Sequence, residues 1–170
     1  MKSLVIFFVS LVSAIPPSFS IDQKPDLLII GDDTIKLKSF PLEELGFTTR
    51  PFMYGQYDFP NMHCFRGYQA IWKVINHKLY LAEIIKADDS REKADMVNYF
   101  LANNYTPIVI NGLIFADWFT MDLKSFPRDF NDWGCVWKCR SPKKTPPSIR
   151  FQNGIMTLNR YKGKSNTTNV

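Results

Sequence analysis

The chain has 170 residues, 45% hydrophobic and 15% aromatic, with 21 Lys and Arg against 16 Asp and Glu and a formal net charge of +5. That length carries one domain whose core needs neither a metal nor a disulfide staple. Two His and three Cys fall at spacings that make no zinc site, and no nucleic-acid fold signature is present, so metal, cofactor and nucleic-acid functions are set aside.

The N-terminus reads MKSLVIFFVSLVSAIPPSFS: one Lys, an apolar run, a Pro pair and small residues around Phe19. This is the layout of a secretory signal peptide over residues 1–20, and the apolar run is too short for a membrane span. An uncleaved anchor is the alternative, disfavoured by the Pro pair. The reading predicts a periplasmic or secreted protein, not membrane-embedded, with one β-rich domain over 21–160 and a basic, polar, disordered tail over 161–170.

The first elements are two short strands in DLLIIGDDTIKLK, at 27–30 and 34–38, around a Gly-Asp-Asp turn. PLEEL at 41–45 suits a short helix with Pro in its first turn. The aromatic loop that follows, through Phe59, is functional or packed down by its own rings.

HCFRGYQAIWKVINHKLYLAEI then reads as a hairpin turning at Asn76-His77, with Val74 facing Leu79, Trp72 facing Leu81 and Ala70 facing Glu83. On that register Arg66 and Glu83 share the apolar face with Tyr68. Polar groups there must be paired or line a cavity, so a buried Arg66–Glu83 ion pair is expected, with a ligand contact as the alternative. A Cys64 nucleophile with His63 as base fails, because adjacent strand residues point to opposite faces.

DDSREKADMVNYFLANN gives one helix, capped at Asp88, Asp89 or Ser90 and presenting Ala94, Val97 and Leu101 on one face. Two more hairpins follow, each turning at Asn-Gly: Asn111-Gly112 between strands 108–110 and 113–120, and Asn153-Gly154 between strands near 149–152 and 155–160. In FADWF, Asp117 falls between Phe115 and Phe119, where an acid has a raised pKa and suits a general base. Paired with Glu83 it would make the carboxylate couple of glycoside hydrolysis, although a structural bond to backbone or Arg66 is the more economical account.

Cys64, Cys135 and Cys139 leave two arrangements open. Two strand residues four apart on one face lie about 13 Å from each other, so Cys135 and Cys139 do not bridge. Either Cys64 pairs with one of them, or all three are buried free thiols. Charge is uneven: residues 21–132 hold 12 bases against 16 acids, while no acid follows Asp132 and eight bases do, Lys143 and Lys144 among them. Such a stripe suits an acidic partner or a solvated edge.

The segments CFRGYQAIW, LYLAEI and FADWFTMDL resemble the motifs of a group of small, uncharacterised bacterial proteins, in order over residues 26–160. The resemblance implies a bacterial source and a shared fold, and it transfers no catalytic residue. DWGCVWKCRSPKKTPP departs from the group's Gly- and Tyr-rich C-terminal strand.

The expectation is a mainly β (α+β) domain: an antiparallel sheet of eight or nine strands closed as a barrel or sandwich, with one covering helix. The function expected is non-enzymatic binding of a partner protein, as an inhibitor or in the manner of immunity proteins. The binding residues are Arg66, Tyr68, Trp72, Glu83, Asp117, Trp118, Lys143 and Lys144. A glycan-binding module, an envelope hydrolase using the Asp/Glu pair, and a structural envelope component are the alternatives.

Overall fold

The computed structural model describes residues 24–53, 64, 66–125 and 148–160. The proposed signal peptide and tail, His63, Cys135, Cys139, Lys143 and Lys144 lie outside the described residues.

Among the described residues nine strands make one sheet: β1 Leu27–Ile30, β2 Asp33–Lys36, β3 Tyr68–Ile75, β4 Lys78–Lys86, β5 Ile108–Ile110, β6 Leu113–Phe115, β7 Asp122–Lys124, β8 Ser148–Gln152 and β9 Ile155–Asn159. They run in the order β2-β1-β3-β4-β9-β8-β7, with β6 and then β5 branching from β4. The sheet curls into a half-barrel, and two features correct the closed antiparallel expectation. β1 and β3 pair in parallel, which makes the sheet mixed. Among the described residues the far edges meet at one bridge, between Leu37 and Ser125, flanked by Lys38 N–H donating to the Lys124 carbonyl at 2.7 Å and Lys124 N–H donating to the Ser39 hydroxyl at 3.2 Å, a short stitch where a closed barrel needs a ladder.

The turns follow from residues that accept positive φ. Asn76 and His77 sit at 49° and 62°, Asn111 and Gly112 at 52° and 77°, and Asn153 and Gly154 at 49° and 73°. All three pairs give the two-residue geometry whose twist matches antiparallel strands. The last turn also docks: Gly154 N–H donates to Phe119 O at 2.9 Å, and Leu79 N–H donates to Gly154 O at 2.8 Å. That contact seats the β8–β9 hairpin against β4 and the segment after β6.

Two registers shift by one residue. In the β3–β4 pair Trp72 faces Leu81 and Ile71 faces Glu83, so β4 bulges at Ala82. An extra residue reverses the side-chain alternation beyond it, placing Ile84 in the core and Glu83 on the outer face. The expected Ala70–Glu83 pairing is thereby overturned; Ala70 faces Ile84. A second shift places Arg150 opposite Leu158, while Ile149 and Phe151 remain inside as the alternation requires.

The helix, α1 Met96–Ala102, starts later than its composition suggests. Asp95 is its cap, accepting from Asn98 N–H at 3.1 Å. The preceding residues are held to the edge of β4 instead: Lys86 N–H donates to Glu92 O at 2.8 Å and Ala94 N–H to Ile84 O at 2.9 Å. The helix buries Tyr99 and Phe100, leaving Val97 and Leu101 exposed. Phe100 meets Phe47, Tyr105 and Trp118 edge-on or tilted at 5.2, 5.5 and 5.5 Å, an aromatic cluster covering the inner face of the sheet. Beneath it, Trp72, Leu28, Leu81, Ile114 and Phe119 are wholly buried, each worth about 1.5–3 kcal/mol in transfer terms.

Candidate functional site

Parallel pairing of β1 and β3 sets Leu28 beside Trp72, and two residues upstream it brings Asp26 to Ala70. Asp26 is fully buried. It accepts from Arg66 Nη2 at 3.0 Å, Ala70 N–H at 3.1 Å and Trp72 Nε1 at 3.2 Å. Burial pushes the Asp26 carboxyl above its ordinary value, and the Arg66 charge and the three donors pull against it. For Arg66, burial is the largest influence and opposes the charge, but Asp26 first, then Tyr68 and Cys64, together outweigh it, and the guanidinium is held above its ordinary value.

Arg66 precedes the bend at Gly67, whose φ of 75° turns the chain into β3. Its guanidinium carbon lies 3.9 Å from the Phe40 ring centroid and 4.8 Å from that of Tyr68, a cation between two aromatic rings. Nη2 alone carries the hydrogen bonds, reaching the Lys24 carbonyl at 2.9 Å as well as Asp26. Nε and Nη1 are buried, and among the described residues no acceptor meets them. Buried charged donors without partners are costly and call for an explanation.

The Arg66 side chain, 10% exposed, borders a cleft of about 520 Å³. Phe40, Leu42, Phe47 and Pro51 supply apolar wall, Tyr68 and Tyr99 amphipathic rings, and Thr48, Thr49, Arg50 and Glu43 polar groups. The Tyr68 hydroxyl donates to Glu43, and burial first, then that bond, raise the Tyr68 pKa far above the phenol range. Tyr99 is pushed up to about 12 by burial and the Glu43 charge. Both phenols stay protonated, and the Tyr68 proton is spent on Glu43.

Of the residues expected to form the site, Arg66, Tyr68 and Trp72 come together, around Asp26. Glu83 does not join them: turned outward by the bulge, it accepts from Lys93 Nζ at 2.8 Å. Asp117 does not join them either, because the strand stops at Phe115 and Asp117 enters a turn, where it accepts from Tyr105 O–H at 2.8 Å. Neither acid lines the cleft, and the structural role weighed as the more economical one for Asp117 has Tyr105 as its partner in place of backbone or Arg66. Trp118 serves packing, donating from Nε1 to the Pro41 carbonyl at 3.1 Å. Cys64 is a buried free thiol donating to the Tyr68 carbonyl at 3.2 Å, and its two candidate disulfide partners, Cys135 and Cys139, lie outside the described residues.

Asp26 and Glu43 were missed by sequence reasoning. An acid directly before the apolar run LLII was the available signal for Asp26, since such an acid must find partners once the strand is buried. Glu43 sits in a one-turn helix, Glu43–Leu45, where two neighbouring acids gave no sign of which one faces Tyr68.

No group of His, Cys, Asp and Glu among the described residues could hold a metal ion, and no described helix is long and apolar enough to cross a membrane. No family model, curated protein or solved structure matches the chain.

Proposed function

We propose that this chain is a non-enzymatic binding protein, exported to the periplasm or secreted, whose ligand group sits in the Arg66 cleft. The observation that carries the reading is a buried guanidinium with two unpartnered nitrogens at the border of a cleft large enough for a small molecule or one sugar unit. Glu83 and Asp117, the two acids that suited hydrolysis, are each engaged elsewhere, which favours binding over cleavage. The test is chemical-shift mapping of backbone amides during titration with a library of small polar compounds. Shifts centred on Thr48, Thr49, Arg50 and Tyr68 support the cleft, and hits whose shifts all fall elsewhere overturn it.

A second observation favours recognition of a partner protein, the inhibitor or immunity-like form of the reading. Among the described residues β5 pairs with β6 alone, and its Ile108, Val109 and Ile110 are 45%, 46% and 40% exposed in succession. An apolar edge strand suits addition of a strand from another protein. Retention of one protein from periplasmic extract by the intact chain, lost with Val109→Lys, supports this form; retention unchanged by Val109→Lys removes it.

A further inference from the structure

We infer that the Arg66 cleft selects a ligand bearing a carboxylate, seated on Arg66; this rests on the cleft being the binding site. Arg66 offers Nε and Nη1 without acceptors, while its Nη2 is committed to Lys24 and Asp26. Because those two nitrogens are already shut off from water, an acceptor reaching them adds hydrogen bonds without stripping a hydration shell. A carboxylate that reaches them pairs an ionised acceptor with an ionised donor, whereas a neutral carbonyl brings no charge of its own.

The other groups of the lining agree. Thr48 and Thr49 present hydroxyls, and Tyr68 and Tyr99 remain protonated. Glu43, the acid in the lining, has its carboxylate engaged by the Tyr68 hydroxyl. Asp26 is sealed behind Arg66 and offsets that charge, so the attraction for an anion comes from the directed Nε and Nη1 donors more than from net local charge.

Two sources present this chemistry: an acid on an apolar ring and an acid on a sugar ring. Calorimetric titration of the purified protein with benzoate and benzamide, and with glucuronate and glucose, separates them. At least one acid should bind about tenfold tighter than its neutral counterpart, the difference between charged and neutral hydrogen-bond partners. Benzoate alone assigns an apolar-bodied acid, and glucuronate alone a sugar acid. Arg66→Lys should abolish the discrimination. Should that variant lose cooperative unfolding, the Arg66 Nε–H resonance of the native chain decides: it should shift on adding the acid and not on adding the neutral compound, and a resonance unmoved by the bound acid overturns the inference. Equal binding of acid and neutral compound in the cleft overturns the carboxylate inference and leaves the cleft reading standing, whereas no binding by any of the four overturns both.

Discussion

Asp26 and Arg66, forty positions apart in the chain, meet at 3.0 Å where a parallel strand pair leaves the core. Asp26 has no exposure and three donors around it, so removing one partner strands a charge. Arg66→Met should cost about 3–5 kcal/mol in urea unfolding, the usual penalty for breaking a buried pair. Asp26→Asn combined with Arg66→Met should cost less than the two single changes together, by about 0.5–3 kcal/mol. Additive losses would show that the pair is not coupled.

Asp122 and Arg150 face one another across β7 and β8 and are joined by Arg150 Nε at 2.7 Å and Nη2 at 3.2 Å. The hydrogen bond from Arg150 leads in holding the Asp122 carboxyl below its ordinary value, with Lys124 and Arg160 adding to the effect. A depressed acid contributes stability above its unfolded-state pKa and loses it as pH falls through the folded-state value. Arg150→Gln should therefore be less stable than the native chain at neutral pH, with the gap narrowing as pH drops below the carboxylate range. Paired urea melts at neutral and acid pH measure this, and a gap constant with pH would mean the carboxyl is not linked to Arg150.

Gly154 combines a φ of +73° with a backbone approach that leaves no room for a side chain: an added Cβ would lie 2.5 Å from Ala116 O. Gly112 has a similar φ of +77° with nothing within 4 Å. Gly112→Ala should thus cost only the left-handed strain, about 1–2 kcal/mol. Gly154→Ala should cost more, about 3 kcal/mol or above, because the hairpin must also lift from Phe115 and Ala116 at the end of β6. Equal losses in thermal melts would show that the docking contact adds nothing.

The hairpins were legible because their turns require particular residues: Asn-Gly and Asn-His at positive φ admit few alternatives, and each was located to the residue. The site was less legible. Leu79, Leu81, Glu83 and Ile85 alternate without a break, so nothing local marks the bulge at Ala82 that sends Glu83 outward. Asp26 reaches Arg66 through parallel pairing of distant segments, which local periodicity does not encode. At the helix, Asp88, Asp89, Ser90 and Asp95 all suit a cap, and the backbone pairing of residues 92–94 with β4 selected Asp95. FADWF read as a strand by composition, yet a turn after Phe115, with Phe119 N–H donating to Ala116 O at 3.0 Å, carries Asp117 off the sheet.

Glu83 and Asp117 provide the sharpest check on the non-enzymatic reading, since each has a structural partner. The Lys93–Glu83 pair is well exposed, at 64% and 36% for the two side chains, and such pairs contribute about 0–1 kcal/mol. Glu83→Ala should fall within that range and leave ligand binding in the cleft unchanged. Asp117→Ala removes the acceptor of the half-buried Tyr105 hydroxyl and should cost about 0.5–1.5 kcal/mol. That hydroxyl is held up to about 12, by burial first and the Asp117 bond next, so the Tyr105 titration should move down towards the ordinary phenol range when Asp117 is lost. Ultraviolet titration of the native chain and of Asp117→Ala, with Tyr105→Phe to identify the phenol, measures it. An unmoved Tyr105 titration would free Asp117 from its structural role and return it to consideration as a general base.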